Sequence, residues 1–127
     1  MSIRIAISAE DLPGNKTVVA DHFGRCSKFL VYEVNDEKEV LREEVFSNPI
    51  QGGQGGACEL PAYVKEYNVN VIIAGGMGRK AIAQFNQFDI QVVTAPGIGV
   101  QDALIGYLKG DLSGYEECVG HHKDDCH

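Results

Sequence analysis

KFLVYEVNDEKEVLREEVF, residues 28–46, is the stretch whose reading decides the fold. Two runs of strand character, KFLVYEVN at 28–35 and EVLREEVF at 39–46, flank the turn-like Asn35-Asp36-Glu37-Lys38. Val, Tyr and Phe suit a pleated surface and the polar break between the runs is short, so the segment predicts an antiparallel hairpin. A hairpin reverses the chain, and that reversal sets the direction of every element attached to it.

Toward the amino terminus, IRIAI at 3–7 alternates as a strand does, and the breaker-rich AEDLPGNK follows it. Toward the carboxyl terminus, NPIQGGQGGA is a glycine-rich break, after which 57–68 carry helical spacing at Leu60, Val64 and Tyr67. VIIAG at 71–75 is an apolar run of the kind buried on both faces of a sheet. GGMG then leads into a helix predicted at 79–87, Gln91–Ala95 gives a last strand, and PGIG precedes a helix at 100–109. That helix places Val100, Ala103, Leu104 and Leu108 on one face. The order β-β-β-α-β-α-β-α predicts an α/β fold: a five-stranded mixed sheet in a three-layer α/β/α arrangement. Right-handed βαβ crossovers make the last three strands parallel to one another, and the hairpin makes them parallel to the first.

These directions bring the unusual loops to one rim. If the first strand points up, the second begins at the top, so His22–Cys26 lie there; GGQGGAC, GGMG and PGIG are delivered to the same edge. Ligands of open α/β sheets bind at the carboxyl ends of the parallel strands. Glycines without Cβ atoms let the backbone approach a ligand, and helix amino termini favour an anion. Gly52, Gly53, Gly55 and Gly56 precede one helix, and Gly75, Gly76, Met77 and Gly78 precede another. Neither loop is a Walker sequence or a GxGxxG fingerprint, so a nucleotide is not indicated. Each loop also has a plain reading as a tight strand-to-helix connection.

At 127 residues, with 44% apolar side chains, the chain predicts one globular domain over 1–110. Met1-Ser2-Ile3-Arg4 runs directly into a strand pattern without the character of a signal peptide, and no apolar run is long enough to cross a membrane, so the expectation is a cytoplasmic protein. A net charge of −7 argues against nucleic acid as a partner. Arg25, Lys28, Arg79 and Lys80 are the cations near the rim, and could supply a local positive field for a small anion. His22, Cys26 and Cys58 are ligand types suited to Fe–S clusters, zinc or copper; taken singly, each has a structural reading, Cys58 within its helix and Cys26 pointing inward from a strand.

The remaining residues, 111–127, read as a flexible acidic tail rich in Cys and His. Cys118, His121, His122, Cys126 and His127 fall in ECVGHHKDDCH, a composition that suggests zinc or another divalent metal although its spacing matches no zinc finger.

At DHFGRC (21–26), GGQGGAC (52–58), IIAGGMG (72–78) and GIGV (97–100) the sequence resembles the dinitrogenase iron–molybdenum cofactor biosynthesis family, which includes NifX-like carriers and the carboxy-terminal domain of NifB. The resemblance covers about residues 1–110. It implies a ribonuclease H-like fold and binding of a metal–sulfur cluster, Fe–S or Fe/Mo-containing, or of its precursor. It places the ligand site at His22, Cys26, the 52–56 glycines and the 75–78 glycines; Gly24, Arg25, Cys58, Met77 and Arg79, from the same rim segments, complete the candidate cofactor-binding set. The first functional reading is therefore a non-catalytic carrier exchanging its cargo with donor and acceptor proteins, with the oligomeric state open. The alternatives are a divalent-metal binder acting through the tail and a thiol redox enzyme using Cys26 with His22. Hydrolysis of the ribonuclease type would need several converging carboxylates, and Asp21 is the sole acid among the rim motifs.

Overall fold

The structure, a computed structural model, describes residues 2–14, 16–48, 60–95 and 97–112. Strands β1 (Ser2–Leu12), β2 (Lys16–Val19), β3 (Lys28–Asn35), β4 (Val40–Ser47), β5 (Val71–Ala74) and β6 (Gln91–Thr94) alternate with helices α1 (Leu60–Lys65), α2 (Arg79–Gln87) and α3 (Val100–Lys109) in its second half. The sheet runs β4-β3-β1-β5-β6, and β2 pairs with the distal end of β1. β3 is antiparallel to both β1 and β4, while β5 runs parallel to β1 and β6 to β5. β1, β4, β5 and β6 thus share one direction, as the hairpin at 28–46 requires.

The expected count of five strands is corrected to six. β1 does not stop at Ile7 but continues through Leu12, and Lys16–Val19 fold back on it with Ala9 opposite Val19 and Leu12 opposite Lys16. Gly14 supplies the turn at φ 87°, a backbone conformation that side chains other than glycine rarely adopt. A four-residue strand carries too short a pattern to announce itself; Val18 is fixed by a bridge to Gly99 far along the chain.

Alternation along the strands divides the core in two. One face of the sheet offers Ala6, Phe29, Val31, Ile72, Ala74 and Val92, covered by Leu60 and Val64 of α1 and by Ile82 and Phe85 of α2. The other offers Ile5, Ile7, Leu30, Tyr32, Val71, Ile73 and Val93, covered by Val100, Ala103 and Leu104 of α3. Helices on both faces make the three layers, and they explain why all four residues of β5 are buried. α2 and α3 have the expected bounds. α1 ends earlier than the expected residue 68: after Lys65 the chain tightens into i→i+3 turns, and Asn68, at φ 61°, closes it. Leu112 packs against the second core. Among the described residues no helix is long and apolar enough to cross a membrane.

Candidate functional site

The carboxyl ends of β1, β4, β5 and β6 and the start of β3 form one edge, and the segment 20–27 runs along it. Its backbone is sewn to the glycine turn after β5: Gly75 N–H donates to Ala20 O and Phe23 N–H to Gly76 O, both at 2.9 Å. Gly75 has no room for a side chain, because a Cβ there would meet the backbone of Ala20 and Asp21. Phe23 anchors the segment from below, its ring against Phe29 at 5.8 Å and edge-on to Phe85 at 5.4 Å. The turn before α3 joins the same edge, since Val19 N–H donates to Ile98 O at 2.9 Å.

β4 delivers a fourth element. Asn48, buried to 4% exposure, donates from Nδ2 to Cys26 O at 2.8 Å and from its backbone N–H to Ser27 O at 3.1 Å. Sequence reasoning missed Asn48. Its one signal was the Asn48-Pro49 pair at a strand end, which marks a turn without revealing a buried buttress. The glycines at 52, 53, 55 and 56, and Cys58, lie outside the described residues, as do Cys118, His121, His122, Cys126 and His127.

His22 stands just before the 3-10 turn Phe23–Arg25, in extended conformation. Its side chain is partly buried, and its Nδ1 is fully covered with no hydrogen-bond partner, the one such side-chain atom among the described residues. Gly24 and Arg25 occupy the turn itself; the Arg25 side chain lies outside what the structure describes. Gly78 is the N-cap of α2 and offers no side-chain cap, and no acid occupies the first turn of that helix. Its opening N–H groups therefore carry a positive end at the rim, with Arg79 and Lys80 exposed beside it. Lys28 is already engaged, its Nζ 3.1 Å from Asp11 Oδ1.

Two candidate residues take different places from those expected. Cys26 is 2% exposed and belongs to the first core; burial above all pushes its thiol from 9.0 up to about 12, so it is a neutral thiol at physiological pH. Thiolate is the form that binds metal or attacks a disulfide, and burial works against it here. Cys26 therefore packs beneath the rim with Asn48 Nδ2 3.7 Å from its sulfur. Met77 is likewise a core side chain at 1% exposure, and the rim receives only its backbone. Among the described residues no three His, Cys, Asp or Glu side chains gather closely enough to hold a metal ion together.

A sequence family described as dinitrogenase iron-molybdenum cofactor matches residues 1–110. The chain belongs to that family. Among curated relatives of this dinitrogenase-cofactor chain is the uncharacterised protein MJ0580 of Methanocaldococcus jannaschii, 28% identical over 115 residues, 90% of this chain and 97% of the relative. Among solved structures, the crystal structure of PH0822 is 33% identical with a TM-score of 0.73, covering 87% of this chain and 95% of the other. The apo form of the orange protein from Desulfovibrio gigas is 25% identical with a TM-score of 0.73, covering 90% and 93%. The family match takes in every rim loop and ends before the Cys/His-rich residues 118–127.

Proposed function

We propose that this member of the dinitrogenase-cofactor family is a non-catalytic carrier for a metal–sulfur cluster, iron–sulfur or iron/molybdenum-containing, or for its precursor. The cargo passes from a donor protein to an acceptor protein. The observation that carries the reading is the buried Nδ1 of His22, without a partner among the described residues, in the loop sewn to Gly75 and Gly76. An unsatisfied buried polar group costs about 1–3 kcal/mol, so a nitrogen left without a partner calls for a ligand. In the neutral tautomer that leaves Nδ1 unprotonated, its lone pair suits iron and other borderline metals.

Electrostatics support an anionic cargo. The uncapped amino terminus of α2 with Arg79 and Lys80 opposes the overall charge of −7 and would attract the negative sulfur face of a cluster. A carrier must surrender what it holds, and one exchangeable imidazole assisted by backbone N–H groups meets that need better than a cage of thiolates. The strand order, with β3 antiparallel to its neighbours, supports the ribonuclease H-like description of the scaffold. Those parts hold and orient cargo; no covalent step is asked of them.

The test is anaerobic loading of the apo protein with ferrous iron and sulfide, with and without molybdate, read by metal content per chain and visible absorption after desalting. His22→Ala is expected to lose about tenfold or more in retained metal, the scale of disturbing a ligand set, while Cys26→Ala loads as the parent does. Loading that survives His22→Ala, or that depends on Cys26 and not His22, overturns the reading.

A further inference from the structure

β4 is the terminal strand of the sheet, and among the described residues nothing pairs with its outer edge. Edge strands offer unpaired N–H and C=O groups and are commonly blunted by charge or brevity. This one is eight residues long; it carries three charges and a bulge at Leu41, yet it exposes apolar side chains, Val40 at 47%, Leu41 at 57% and Val45 at 58%. Val45 lies opposite Leu30 and Glu43 opposite Tyr32, residues of the core that α3 covers. α3 reaches Tyr32 through Gln101 Nε2, 3.2 Å from the tyrosine hydroxyl, and β4 lies beyond that cover.

The charges say what fits there. Read around Glu43, the strand is self-complementary: Leu41-Arg42-Glu43-Glu44-Val45. Laid antiparallel on a second copy with Glu43 at the centre, Arg42 falls opposite Glu44, a contact that occurs twice by symmetry, while Leu41, skipped where the register against β3 shifts between Glu33 and Val34, lies off the regular ladder. A two-fold normal to the sheet keeps opposed residues on the same face, so the pairing centres on a residue, and centring on Arg42 or on Glu44 sets a like charge against its copy with no Arg–Glu pair beside it. The Arg42 side chain is 65% exposed, and among the described residues its ion pair is a loose 3.8 Å contact with Glu44. Glu43 against its own copy is the one repulsive pair of this register.

We infer that β4 is a homodimerisation edge, two copies pairing antiparallel about Glu43 into one continuous sheet. The partner's strands run the opposite way, so the two loop rims face opposite ends of the dimer and both stay open. An edge of this length buries less than a standard interface of about 1,600 Å², so the dimer is a weak one.

The experiment is sedimentation of the full chain from about 1 μM to about 1 mM, the range of weak association, with hydrogen exchange of the 40–47 amides over the same range. Concentration-dependent dimers with matching protection of β4 are expected. Arg42→Glu should weaken association by about tenfold or more, since both cross-strand pairs turn repulsive, and Glu43→Gln should tighten it by up to about fivefold. Three results overturn the inference: a monomer throughout, a dimer indifferent to Arg42→Glu, or β4 amides protected equally at every concentration. The last would mean that another part of the same chain covers the strand.

Discussion

Replacing Gly75 with alanine strikes the contact that makes a single rim out of distant loops. The new Cβ would run into the Ala20 carbonyl oxygen and approach Asp21 Cα to 2.9 Å and Asp21 O to 3.0 Å. These are backbone atoms, so no side chain can swing aside; the 20–23 segment must lift away from β5. Lifting it endangers the hydrogen bonds Gly75 N–H to Ala20 O and Phe23 N–H to Gly76 O. Overpacking costs about 1–3 kcal/mol and each lost backbone bond about 1 kcal/mol, so about 3 kcal/mol is expected in total. For a domain of this size that lowers Tm by roughly 10 °C. Gly99→Ala is the matched control, because a Cβ at that N-cap meets only Asp102 Oδ2 at 3.5 Å; it should cost less than about 1 kcal/mol. Urea and thermal unfolding of both variants, beside metal loading of each, supply the measurement. A Gly75→Ala protein within about 0.5 kcal/mol of the parent, the range of an ordinary surface change, would refute the close approach and the shared rim with it.

Alkali probes the buried thiol. Between pH 9.0 and about 12 the unfolded chain gives up the Cys26 proton while the folded chain keeps it, so its contribution, complete below pH 9, is lost as pH rises. The loss runs at about 1.4 kcal/mol per pH unit. Unfolding midpoints of Cys26→Ala should fall less steeply over that window, and an equally steep fall would place the thiol in water. Burial raises Tyr32 in the same direction, so some alkaline loss persists in the variant. Acid acts on the opposite end of the sheet, where Arg4 hydrogen-bonds Glu44 at 2.7 Å and holds that carboxyl below its usual 4.5. A depressed carboxylate stabilises above its unfolded value and ceases to as pH falls, so Arg4→Met should flatten the stability curve below about pH 5. Equal slopes in parent and variant would show that the pair contributes nothing measurable. Arg4 also donates to Tyr67 O from Nε and Nη2, and its loss should loosen the end of α1 in hydrogen exchange.

The sequence by itself determined the strand directions, the bounds of α2 and α3, and the gathering of the 20–27, 75–78 and 97–99 segments at one edge. Those features follow from local rules. A two-residue alternation, a 3.6-residue period and a polar break of hairpin length each state themselves within a few residues, and the right-handed crossover then leaves one arrangement. The VIIA run announced burial on both faces in the same way.

Tertiary structure alone decided which rim residues are packed into the core and which keep a polar atom at the rim. The letters of DHFGRC gave His22 and Cys26 equal standing as ligands, and nothing local distinguishes them. Their environments do: Phe23, Phe29 and Phe85 come from three elements to close a core around the position where Cys26 packs, leaving its thiol desolvated, while His22 keeps a covered nitrogen without a partner. β2 and Asn48 were hidden for the same reason. Their partners, Gly99 for one and Cys26 and Ser27 for the other, lie far along the chain in other elements. Periodicity reads what a residue prefers; desolvation and hydrogen bonding depend on what the folded chain brings beside it.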